Sequence, residues 1–201
     1  GLAPDKIVSA SFGPTPLTPI SRSNSCSGSS ITPIERRVAR TSWSTRTPHT
    51  SIIPASGRTS PTTARIQNGS PAVNANVYAG GFLTDAGGNS FTSWCVDIFQ
   101  HTHFGQTVND YALTDGATAL GAGRADALGR LATQSLASVS NAASSGAFQL
   151  AIWEIVNETS GNPYSLTSGN FRTSSVSNGS LALAQGWLDN LGSLNQYAVS
   201  V

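Results

Sequence analysis

The chain has 201 residues, enough for one ordinary domain plus an extension, and only 10% of them are charged, against roughly 25% in average soluble domains. The net charge of +1 is unevenly divided: residues 1–70 carry eight basic side chains against two acidic, residues 71–201 three against eight. No apolar run nears the roughly 18 residues that cross a bilayer, no signal-peptide pattern is present, and the scattered arginines form neither a helical face nor an aromatic-interleaved patch. The sequence therefore predicts neither a membrane span nor a nucleic-acid partner.

In residues 1–70, 32 positions are Ser, Thr or Pro, and the only aromatics are Phe12 and Trp43. No apolar period is sustained there, so the segment reads as a disordered, low-complexity stretch or as text translated in the wrong frame. The domain is expected over 71–201. Val73, Ala75, Val77 and Ala79 alternate with polar residues and predict a half-buried strand ending at Gly80-Gly81. Asp85 to Asn89 reads as a hairpin turn, followed by a strand over Phe91–Phe99 with Trp94, Val96 and Ile98 on one face and Cys95, Asp97 and Phe99 on the other. Val108–Leu113 is a weaker strand candidate.

Helical spacing then takes over. Ala125, Leu128, Leu131 and Leu136 predict a helix over about 123–139. Ser140 or Asn141 is placed to cap a second helix that runs to about Glu158 and stops at Gly161-Asn162-Pro163. Ser180 opens a third, with Leu181, Ala184, Trp187, Leu188 and Leu191 on one face. Residues 196–201 read as a strand interrupted mid-run, as though the domain continued in a longer parent protein. The expected class is α+β: an antiparallel sheet or barrel-like core with a packed helical subdomain, preceded by a disordered N-terminal segment.

Two motifs carry chemistry. Trp94-Cys95-Val96-Asp97-Ile98-Phe99 precedes Phe148-Gln149-Leu150-Ala151-Ile152-Trp153-Glu154-Ile155, with Cys95 and Gln149 54 positions apart. In this order, with helices between, the pair resembles the thioester-domain family found in secreted bacterial surface proteins sorted by a PEP-CTERM signal. The resemblance covers about residues 73–201. It implies that Cys95 and Gln149 condense with loss of ammonia, Trp153 belonging to the surrounding motif. It further implies a cell-surface or extracellular-matrix location and single-use acylation rather than turnover. The expected partner bears an amine: a surface protein, a polyamine or a matrix component. No cofactor and no metal are expected. The residue types suit the reaction, because a thiolate is the strongest side-chain nucleophile near neutrality and a carboxamide reacts only when held and polarised. Trp94, Phe148 and Trp153 are placed to exclude water.

Other readings stay open. Gln149 can be a buried hydrogen-bonding residue and Cys95 a small buried hydrophobe, which would make the protein a non-reactive structural member of the same extracellular family. Cys26 can pair with Cys95. His101 and His103, close behind the Cys95 strand, allow a cysteine hydrolase or part of a metal site. Asp97 and Glu154 flank the pair and could move protons.

Overall fold

The computed structural model describes residues 9–14, 49–51, 62–86, 89–100 and 114–201. In chain order its elements are β1 (Ser9–Pro14), β2 (His49–Ser51), β3 (Thr62–Asn68), β4 (Val73–Ala79), β5 (Phe82–Ala86) and β6 (Asn89–Cys95). They are followed by α1 (Gly116–Leu120), α2 (Ala122–Ser135), a 3-10 turn (Leu136–Ser138), α3 (Ala142–Asn157), β7 (Phe171–Ser174), α4 (Ser180–Asp189) and β8 (Tyr197–Ser200). The class is α+β, with every paired strand antiparallel. One sheet has the order β2-β5-β6-β1-β8 and the other β4-β3-β7. Neither closes on itself, so of the two expected forms of the core the open antiparallel sheet is the one present. The chain passes from one sheet to the other at Gly80-Gly81, so β4 and β5, though consecutive, never pair.

Helix α3 is the axis of the core. Asn141 caps it, accepting the Ser144 N–H at 2.9 Å while the Ser144 hydroxyl takes the Asn141 N–H at 3.1 Å, so two end donors are satisfied reciprocally. From Ala147 to Ile152 every side chain is buried, as expected of a helix enclosed on all sides. Strands β3, β4, β6 and β7 pack on it together with α2 and α4. Phe148 is its central ring, 4.9 Å from Trp94, 5.5 Å from Phe12 and 6.3 Å from Trp187, all at edge-to-face angles. Gly146 lets α3 approach the sheet, since a Cβ there would strike the side chain of Thr62. The end of α3 at Asn157 and the start of α4 at Ser180 agree with the capping and periodicity of the sequence. Helix α2 stops at Ser135 and tightens into a 3-10 turn, short of the expected Val139. No helix among the described residues is long and apolar enough to cross a membrane.

β1, β2 and β3 all lie within residues 1–70, where the sequence predicts no strand, and β6 ends early. β3 precedes the boundary drawn at residue 71, which falls inside the four-residue β3–β4 turn. Its buried positions are Thr62, Ala64, Ile66 and Asn68, so the inward stripe holds only two hydrocarbon side chains and escapes an apolar count. The polar pair is satisfied instead: Thr62 Oγ1 donates to the Ala142 carbonyl at 2.8 Å, and Asn68 Nδ2 to the Pro71 carbonyl at 2.7 Å. β6 in turn ends at Cys95 rather than Phe99. Trp94, Cys95 and Val96 are all buried, so the expected separation into two faces ends where the strand does. Residues 108–113 lie outside the described residues, as do Cys26, His101 and His103.

Candidate functional site

Ser145, Gln149 and Trp153 stand four residues apart and form one stripe along α3. The stripe meets the sheet where the ladder fails. The β5–β6 register pairs Phe82 with Ser93, which would set Gly80 opposite Cys95. β5 begins only at Phe82, so no strand residue takes that place. Gln149 takes it instead. Its Oε1 accepts the Cys95 N–H at 3.0 Å and its Nε2 donates to the Cys95 carbonyl at 2.7 Å. The side-chain amide thus substitutes for a missing peptide unit and leaves no buried main-chain group at Cys95 unpaired. One turn earlier, Ser145 Oγ accepts the Gly81 N–H at 2.9 Å. Gly81 needs to be small here, because a Cβ would sit 2.8 Å from Thr92 Cγ2 and 3.1 Å from the Trp94 indole.

Cys95 is a buried free thiol whose S–H donates to the Asp97 carbonyl at 3.0 Å. Burial pushes its pKa up to about 11. The Asp97 main-chain contact and the Trp153 indole N–H pull the other way, and the Asp97 carboxylate adds to the rise. The Trp153 contact is loose, since Nε1 makes no hydrogen bond of full geometry; Trp94 Nε1 is likewise buried without one. Near neutral pH the sulfur is therefore a protonated, shielded thiol.

The structure brings Cys95, Gln149 and Trp153 together, with Trp94 and Phe148 packed on the inner side of the strand end. The hydrogen bonds of the two flanking carboxylates go elsewhere. Asp97 Oδ1 accepts the Phe99 N–H at 2.8 Å and shapes the turn after β6. Glu154, five residues after Gln149, lies about 140° round the helix and accepts the Ser165 N–H at 2.7 Å through Oε1. Its Oε2 is buried without a partner. Burial raises the Glu154 pKa from 4.5 to about 7, with the Ser165 hydrogen bond opposing and Glu158 adding to the rise.

A raised folded-state pKa means that the Glu154 contribution to stability is complete below the unfolded value near 4.5 and is lost as pH rises through about 7. Melting between about pH 5 and about pH 8 should therefore show stability falling with pH, by on the order of 2–3 kcal/mol, and Glu154→Gln should flatten the slope. An unchanged slope in that variant would assign it to another group. Glu158 acts outside this window. Burial favours its neutral form, but hydrogen bonds from Asn162, Thr159, Asn170 and Phe171 outweigh that and lower its pKa below 4.5.

No group of three or more His, Cys, Asp or Glu able to hold a metal occurs among the described residues. The sequence assigns Ser145 no role and Gly81 only that of ending a strand. The available signal was a serine one turn before Gln149, leading the small run Ser145-Gly146-Ala147 on an otherwise apolar helix. No family model, curated protein or solved structure matches the chain.

Proposed function

We propose that Cys95 and Gln149 form an internal thioester, and that the protein is a secreted bacterial surface or matrix protein that acylates an amine-bearing partner once rather than turning over. The observation that carries this reading is the Gln149 carboxamide held on the main chain of Cys95 inside the core. In the reaction, Sγ adds to Cδ of Gln149, the thiol proton passes to Nε2, and ammonia leaves as the C–N bond breaks. The Cys95 N–H, already on Oε1, stabilises the negative charge that develops there. Fixed placement replaces thiolate activation as the source of rate, because the thiol itself is held protonated. A partner amine then displaces Sγ, leaving an amide at the Gln149 carbonyl and a free thiol. Residues 71–201 contain no lysine and Lys6 is the only one in the chain, so the domain offers no ε-amine to consume the bond.

A second reading has its own support. The same two hydrogen bonds give both the oxygen and the nitrogen of the Gln149 amide a partner, and a protonated thiol is a poor nucleophile, which suits a non-reactive structural clasp. Intact mass separates the two. The thioester predicts a protein one ammonia lighter than its sequence, a deficit missing in both Cys95→Ala and Gln149→Ala. Methylamine should add at Gln149 and expose one thiol. Full sequence mass in protein kept from nucleophiles would leave only the clasp.

A further inference from the structure

The face of the β4-β3-β7 sheet turned away from α3 has a composition of its own. Across the strands, Asn74 lies beside Gln67 and Gln67 beside Arg172, while Asn76 lies beside Arg65 in the next row. Tyr78 extends the same face and is 64% exposed. Asn74, Asn76, Arg65 and Arg172 are exposed and Gln67 is half-buried. No outward position of the three strands holds a carboxylate.

The arginines decide the matter. Four occur among the described residues. Arg130 pairs with Asp126 at 3.0 Å, and Arg124 donates to the Glu158 carbonyl at 3.4 Å. Arg65 and Arg172 make no side-chain bond with a described residue, and both stand on this face, on neighbouring strands and diagonal to each other. At that offset their Cβ atoms lie about 7–8 Å apart.

We infer that this face binds an acidic polysaccharide, the two guanidiniums taking carboxylates and the carboxamides of Asn74, Asn76 and Gln67 taking sugar hydroxyls. A guanidinium presents a planar fork to a carboxylate, and a carboxamide offers a donor and an acceptor side by side, as paired hydroxyls require. Tyr78 gives a flat apolar surface with a polar tip at the end of the rows. A nucleic acid fits less well. Its affinity comes from neutralising many closely spaced phosphates, whereas this face has two cations among neutral groups and residues 62–201 carry four basic side chains against eight acidic. A sparsely charged, hydroxyl-rich chain matches that density.

The full chain can be tested by affinity electrophoresis in gels containing polygalacturonate, its methyl ester, or oligothymidylate. Polygalacturonate should retard the protein, the uncharged ester and oligothymidylate much less, and salt should reduce the effect. Arg65→Gln and Arg172→Gln should each weaken binding roughly tenfold and together abolish it, with unchanged circular dichroism because both side chains are solvent-exposed. Arg130→Gln, away from the sheet, should bind as the parent does. The inference is overturned by absence of retardation, by retention in the double variant, by equal binding of the ester, or by stronger binding of oligothymidylate. None of these outcomes depends on Cys95 or Gln149.

Discussion

Replacing Gln149 with leucine should lower the unfolding free energy by about 2–5 kcal/mol, because it strands two buried main-chain groups at Cys95 at about 1–3 kcal/mol each. Urea unfolding is the measurement, with Cys95→Ser as comparator. Serine keeps the N–H and carbonyl that Gln149 grips, so that variant should lose much less. The contrast separates what Gln149 does for the strand from what it does for the sulfur. A Gln149→Leu protein within about 0.5 kcal/mol of the parent, the usual range for a neutral surface change, would mean that the strand end finds other partners and that the clasp is incidental.

Phe148→Ala should cost about 3–5 kcal/mol, the range for truncating a buried aromatic. The ring touches Phe12 of β1, Trp94 of β6 and Trp187 of α4, so the cavity would open where three elements converge and none could collapse into it alone. Thermal or urea unfolding reads this directly. A loss below about 1 kcal/mol would show that the three rings repack around alanine, contrary to the rigid meeting point described above. The variant should also make Cys95 more reactive toward alkylating reagents, since the neighbouring Trp94 loses its support.

How far the sequence could be read depended on whether a feature is local. Helix α3 announced itself through Asn141 and an apolar run, and α4 through Ser180 and the spacing of Leu181, Ala184 and Leu188. Those signals lie within the helices they describe. β3 was hidden because Thr62 and Asn68 occupy core positions and are satisfied by Ala142 and Pro71, partners that only the folded chain supplies. The meeting of Cys95 and Gln149 was legible as a pair of motifs. Its form was not: the carboxamide grips the main chain because β5 starts at Phe82 and leaves the place opposite Cys95 unfilled, a matter of register between segments. Likewise, nothing in the run Trp94 to Phe99 showed that pairing would stop at Cys95 while burial continued to Val96.

The pairing of β1 with β8 sets Ser11 beside Ser200 and Pro14 beside Tyr197. These strands are the first and the last of the described elements, and β1 is also the partner of β6. Closing so long a loop carries a large entropic cost before any contact rewards it. The β3–β4 and β5–β6 hairpins and the α2–α3 region involve short separations and can form while synthesis continues. β1 must wait, because one of its two neighbours, β8, follows α4 far down the chain. Until then Phe12 has no complete setting beside Phe148 and Trp94, and the buried end of β6 stays open to water. Assembly of the Cys95 and Gln149 region is thereby timed to the arrival of β8, a delay set by the order of strands in the sheet.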